Sequence, residues 1–238
     1  MKSRATQTKE LDMVNGLLAR KILIYSIPLM FSNLLQVFFN MTDVAVVGKF
    51  AGARALGSVG STTIIITLTT GILLGMGGGV NAVTALHMGA EDYQRVHKTV
   101  HTSVILCFIA GLLLLVAGMA FSKPLLEVMN TKPELIDGAT AYLMIYLCGS
   151  PALALYNFGN GVLSAVGDTK RPLIYLSISG IINIVLNLFF VIVCRLGVIG
   201  VAIASIIAQY ISAALIIRFL LKTYGSYGLR MKDIGIDR

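Results

Sequence analysis

The stretch Ser26–Gly48, SIPLMFSNLLQVFFNMTDVAVVG, holds the one acidic residue that lies inside an apolar run of this chain. The run extends from about Ile22 to Val47. A bilayer is crossed by about 20 helical residues at about 1.5 Å of rise each, so the run is long enough to span one. Asp43 has no basic neighbour within it. A carboxylate in hydrocarbon costs several kcal/mol on most scales, which makes an intramembrane aspartate a functional-site candidate. At about 100° per residue, Gln36 and Ser32 fall within about 20° of Asp43 and Asn40 about 60° away. Ser32, Gln36, Asn40 and Asp43 therefore form a polar stripe on an oily helix. Such a stripe belongs against protein or a wet cavity, not lipid.

The rest of the chain has the same character. Its mean hydropathy is +0.84 and only 13% of its residues are charged. Soluble domains carry about 25% charged residues, so the sequence reads as an integral membrane protein. Six apolar spans are expected, at about 22–48, 55–87, 101–121, 139–163, 173–193 and 197–221. Residues 1–21 form a polar N-terminal tail. Residues 222–238 form a basic tail, short enough to be disordered or a linker. Six spans place both termini on one side. That side then holds 14 Lys and Arg against 5 on the other. The positive-inside rule makes it cytoplasmic. The net charge of +8 is thus used in topology, and no basic face with interleaved aromatics points to nucleic acid.

Further polar groups recur at helical spacing. Span four carries Tyr142, Tyr146, Gly149, Tyr156, Asn157 and Asn160 near one face. Span five carries Ser179, Asn183 and Asn187, and span six carries Ser205 and Gln209. Asparagines alone most often glue membrane helices together. Combined with Asp43 they make an oxygen-rich interior suited to a small hard cation or a proton. Cys107, Cys148 and Cys194 lack metal or disulfide spacing and read as small packing residues. His97 and His101 are an i, i+4 pair, but no carboxylate follows them on that helix, so no transition-metal site is expected. The glycines at 75–79 match no phosphate loop and suggest close helix packing or a flexible break. No catalytic constellation appears, so the chain does not read as an enzyme and no cofactor is expected.

Four segments together resemble one family. IPLMFSNLLQVFFNMTDVAVVGKFAGARALGSVGST from Ile27 is similar to the first helix and following turn of multidrug and toxic compound extrusion (MATE) transporters. Gly167–Pro172 (GDTKRP), Asn183–Asn187 (NIVLN) and Gly197–Ser205 (GVIGVAIAS) resemble that family's later motifs, in the same order. The resemblance implies an all-α bundle of six transmembrane helices, one lobe of a two-lobe transporter. It implies a plasma-membrane antiporter that exports drugs and other organic cations in exchange for Na⁺ or H⁺. The cation site maps to Asp43, Asn183, Asn187 and Ser205, with Gln36, Asn40, Tyr142 and Asn160 in the surrounding network and Pro28 as a bend point in helix one. The sequence departs from the family at Asn187, where an aspartate is common. It also holds one lobe, so a second six-helix lobe is expected as partner, and residues 222–238 resemble the start of an inter-lobe linker. Two alternatives are a flippase for lipid-linked substrates and a non-transporting fragment or assembly subunit. The flippase is disfavoured because no Lys or Arg lies deep in a span.

Overall fold

The computed structural model describes residues 18–233, and these are helical almost throughout. The helices are α1 (Leu18–Phe50), α2 (Gly52–Gly89), α3 (Tyr93–Val128), α4 (Pro133–Leu147), α5 (Ser150–Ala165), α6 (Lys170–Leu188) and α7 (Gly197–Lys222). Five spans of this set are long and apolar enough to cross a membrane, and α4 with α5 makes a sixth that is bent by 45°. With α4 and α5 counted as one span broken near its middle, the helices match the six expected spans by length and composition. The break falls at Cys148–Gly149, just before Pro151, whose ring removes a backbone donor. The hydroxyls of Ser150 and Tyr210 donate to the carbonyls of Leu147 and Cys148, at 2.6 and 3.2 Å, meeting oxygens that the interrupted helix leaves open.

Three boundaries differ from the sequence reading. α1 already includes Leu18, the first described residue, and runs without interruption through Pro28 to Phe50. Ser32 donates its hydroxyl to the Pro28 carbonyl at 3.0 Å, one turn back, a contact that tends to bend helices. α3 continues through Pro124 to Val128, where a polar connection is expected from Ser122. α6 ends in a π-helical turn, Phe189–Val193, before the chain reverses at Arg195 and Gly197. Cys194 is exposed, not packed, whereas Cys107 is buried.

The main apolar core joins α2, α3, α5 and α7 through Leu73, Val100, Phe158, Val162 and Ile216. Helices α2 and α5 touch backbone to backbone. A Cβ on Gly161 would lie 2.3 Å from the Gly77 carbonyl oxygen, so only glycine allows this approach. The neighbouring Gly75, Gly78 and Gly79 have nothing within 4 Å of such a Cβ, so one glycine of that cluster does the packing.

The described part of the C-terminal tail is docked, not disordered. Tyr227 and Leu229 are buried in the main core, and the Leu229 amide donates to the Leu220 carbonyl at 3.0 Å. The Arg230 amide donates to His101 Nε2 at 2.9 Å, while His101 Nδ1 lies 2.7 Å from the His97 carbonyl. His101 is thus held as the neutral Nδ1–H tautomer. His97 Nε2 meets the Asp233 carboxylate at 3.3 Å. The tail supplies the carboxylate that the α3 sequence lacks, and ligand atoms of His97, His101 and Asp233 lie within 4.8 Å of one another. Both His101 nitrogens are already engaged, which makes the cluster a clasp. Replacing His101 with Phe removes an acceptor worth about 1 kcal/mol. Trypsin cleavage after Arg230 and Lys232 should accelerate about fivefold, since that free energy is a factor of about 5 in the open fraction. An unchanged cleavage rate would show that the clasp does not hold the tail.

Candidate cation site

The polar stripe of α1 is buried at its two ends, Ser32 and Asp43, while Gln36 is half-buried and Asn40 exposed. Asp43 is buried, whereas Val37, Phe38, Met41 and Val44 around it are exposed on the outer side of the helix. Helix α1 is seated by Phe39, whose ring occupies the space a side chain at Gly180 of α6 would need. That seat brings Asp43 against Asn183 and Asn187, one turn apart on α6, and Ser205 on α7.

These four residues form a closed ring of hydrogen bonds. Asn187 Nδ2 donates one hydrogen to Asp43 Oδ1 and the other to Asn183 Oδ1, the latter at 3.2 Å. Asn183 Nδ2 donates to the Ser205 hydroxyl oxygen at 3.4 Å. The Ser205 hydroxyl donates to Asp43 Oδ2 at 3.0 Å. Each carboxylate oxygen thus receives one neutral donor and keeps lone pairs free. Among the described residues no basic side chain pairs with Asp43. Asn187 is fully buried, and its amide oxygen has no donor at all. An unpartnered buried carbonyl beside an unpaired carboxylate is a poor arrangement for an empty site and a good one for a cation.

Asp43, Asn183 and Ser205 open onto a cavity of about 120 Å³. Gln36 and Asn40 of α1 line it as the stripe predicts, together with Ser179 of α6 and Gln209 and Ser212 of α7. Thr70 of α2 and Tyr146 of α4 complete the polar wall. No Lys or Arg is among the lining residues, so the cavity offers nothing to balance a pyrophosphate.

Two expected members of the network, Tyr142 and Asn160, are not among the residues that line the cavity. Tyr142 is buried in a neighbouring apolar cluster with Val46, Val47 and Val201, its ring centroid 6.1 Å from that of Tyr146. Asn160 is not part of the cavity lining, and its side-chain oxygen accepts from the Ser164 hydroxyl at 3.4 Å. Conversely, Thr70 was not singled out by the sequence, because a lone Thr in a Thr-rich span carries no periodic signal. Gln209 and Tyr146 did show in the spacing pattern, as parts of the oxygen-rich interior expected around Asp43, and they line its cavity.

Comparison with known proteins agrees with this architecture. The MatE family model matches residues 28–189. A probable multidrug resistance protein of Bacillus subtilis, YpnP, is 30% identical over 204 residues, which are 86% of this chain and 46% of that protein. A probable multidrug resistance protein of Thermotoga maritima, NorM, is 25% identical over 208 residues, covering 85% of this chain and 44% of that one. A crystal structure of a MATE protein in the bent conformation superposes with a TM-score of 0.90 at 25% identity, covering 97% of this chain and 52% of that one. The chain therefore spans about half the length of the proteins it matches. With a matching family model that runs from Pro28 of α1 to just past the end of α6, the chain belongs to the MatE family, whose members are transporters and not enzymes.

Proposed function

We propose that this lobe is half of a cation-coupled antiporter that exports organic cations and drugs in exchange for Na⁺ or H⁺. The observation that carries the reading is Asp43: a buried carboxylate with no basic partner, held by neutral donors from α6 and α7 and open to a cavity. A proton or a small cation balances that charge, and Asn183, Asn187 and Ser205 supply further oxygens to hold it. Gln36 and Asn40 present polar groups to the same cavity. Tyr142 and Asn160 have only supporting roles, in the packing beneath the ring and on α5.

Ion and substrate compete for this one negative charge. Loading the site with a small cation lowers its affinity for an organic cation, which is the coupling an antiporter requires. Pro28 is the bend point of α1, and the Ser32 hydroxyl on its carbonyl marks the turn at which the helix yields most readily. The names of the relatives, as multidrug resistance proteins, support drugs as the substrate class. The chain length relative to theirs supports a second six-helix lobe as partner, with the substrate path between the lobes. The charge asymmetry supports a plasma-membrane protein with both termini in the cytoplasm and residues 222–238 leading toward the linker.

Competition on the purified chain tests this. A fluorescent organic cation such as ethidium should bind, and either Na⁺ or acid should displace it at least tenfold more effectively than K⁺ at the same ionic strength. Binding that ignores both Na⁺ and pH would remove ion coupling from this lobe.

A further inference from the structure

We infer that Phe39 is the positioning residue of the cation site and that Gly180 is its socket. The ring in that gap sets how far Asp43 stands from Asn187 and Ser205, and through that distance it sets cation affinity. The inference rests on the reading of Asp43 as the cation site and names what holds it in place.

The middle of α1 has little else to hold it. Between Ser32 and Asp43 no residue of this helix is buried. Leu34, Val37, Phe38 and Met41 are exposed. Leu35, Gln36, Phe39 and Thr42 are half-buried, and the Thr42 hydroxyl donates to the Phe38 carbonyl of its own helix at 2.9 Å. Phe39 is the largest of these four side chains. Its ring tip, Cζ with Cε1 and Cε2, takes the place that a Cβ on Gly180 would fill. Glycine is the poorest helix former after proline, yet Gly180 stands inside α6, and the space it leaves is the space Phe39 uses. Both residues line the cavity onto which Asp43 opens.

Helix geometry links this socket to the ring of hydrogen bonds. From Phe39 to Asp43 is about 6 Å of rise and about 40° of rotation. From Gly180 to Asn187 is about 10.5 Å and about 20°. Anchor and ligands therefore share one face of each helix. The pairs Phe39–Gly180 and Asp43–Asn187 follow in the same order along both helices, so α1 and α6 run parallel here and the socket fixes their spacing beside the site. The ring tolerates little movement. The Ser205 hydroxyl reaches Asp43 at 3.0 Å, and such a bond is gone by about 3.6 Å. Non-bonded carbons rest about 3.5–4.0 Å apart, so a methyl on Gly180 drives the Phe39 ring back by more than about 1 Å. The ring then carries α1 outward, which parts Asp43 from its donors, or it swings into the cavity, which fills the cation's approach. Either way cation affinity falls although no ligand atom has changed.

Ethidium titration of the purified 238-residue chain tests the socket, with thermal unfolding as a check on folding. Gly180→Ala should raise the ethidium Kd at least fivefold. Adding Phe39→Leu to that variant, so that a shorter side chain clears the new methyl, should bring the Kd back to within twofold of wild type. Loss of packing unrelated to Phe39 would not be rescued in this way. Phe39→Tyr keeps the aromatic wall of the cavity but lengthens the ring tip toward Gly180. It should raise the Kd as Gly180→Ala does, and it carries the test should the alanine variant not fold. Wild-type affinity in a folded Gly180→Ala or Phe39→Tyr protein would overturn the positioning role and leave Asp43 standing. So would a double variant that binds no better than Gly180→Ala alone. Equal ethidium affinity in wild type and Asp43→Asn would overturn the Asp43 reading itself, and the socket's role with it.

Discussion

Asp43→Asn should abolish ion-sensitive binding of organic cations while the chain folds as well as wild type or better. The two halves of this expectation come from the same ring. Asparagine is nearly isosteric with aspartate but places an NH₂ where a carboxylate oxygen now accepts from Asn187 or Ser205. A donor would then face a donor. The ring closes again without charge when the new amide keeps its oxygen toward Asn187 and turns its NH₂ to the Ser205 oxygen, whose hydroxyl hydrogen rotates away. Removing an unpaired buried charge is neutral or stabilising, so the unfolding temperature should stay level or rise. The electrostatic attraction for any cation is lost, and affinity should fall at least about 100-fold, since charged hydrogen bonds are roughly twice as strong as neutral ones and the Coulomb attraction goes with them. Ethidium titration with and without Na⁺, alongside thermal unfolding, reads both. Retained ion-sensitive binding in a folded Asp43→Asn protein would exclude the carboxylate from the mechanism.

Gly161→Ala should give the largest stability loss of any single methyl added to the bundle core. Its Cβ would stand 2.3 Å from the Gly77 carbonyl oxygen and 3.3 Å from the Asn81 amide nitrogen, both backbone atoms. A flexible side chain can swing away from such a contact; two helix backbones cannot without separating. The contact is reciprocal, because a Cβ on Gly77 would lie 2.7 Å from the Asn157 carbonyl oxygen. Overpacking typically costs about 1–3 kcal/mol, and with backbone on both sides the upper end applies. Gly78→Ala is the matched control. Nothing lies within 4 Å of its Cβ, so it should be neutral or gain up to about 1 kcal/mol from helix propensity. Thermal unfolding of the two variants in the same detergent compares them directly. Equal stability would mean that α2 and α5 do not depend on this approach.

The sequence was most informative where chemistry and period coincide. Asp43 stands out because a carboxylate in an apolar run is costly, and Asn183, Asn187 and Ser205 follow from spacing and from the family resemblance. The structure joins all four in one ring. Asn160 belongs to the same kind of pattern yet is absent from the cavity lining, because a helical wheel ranks faces and does not say which neighbour each face meets. The glycine cluster shows the same limit: Gly77 packs and its neighbours do not, although all carry equal weight in one dimension. The break at Cys148–Gly149 was hidden because α4 and α5 have a continuous apolar composition. The docked tail was hidden because Tyr227 and Leu229 find their partners only in the assembled core.

Asp43 lies on α1, while its donors lie on α6 and α7. On the proposed reading, the side-chain oxygens that would take an ion are therefore the same atoms that fasten one rod to two others. Thermodynamic reciprocity then fixes the sign: whatever loosens that fastening must alter ion affinity by the same factor that ion occupancy alters the fastening. On that reading the lobe would carry its ion gauge and its mechanical joint in a single set of four residues.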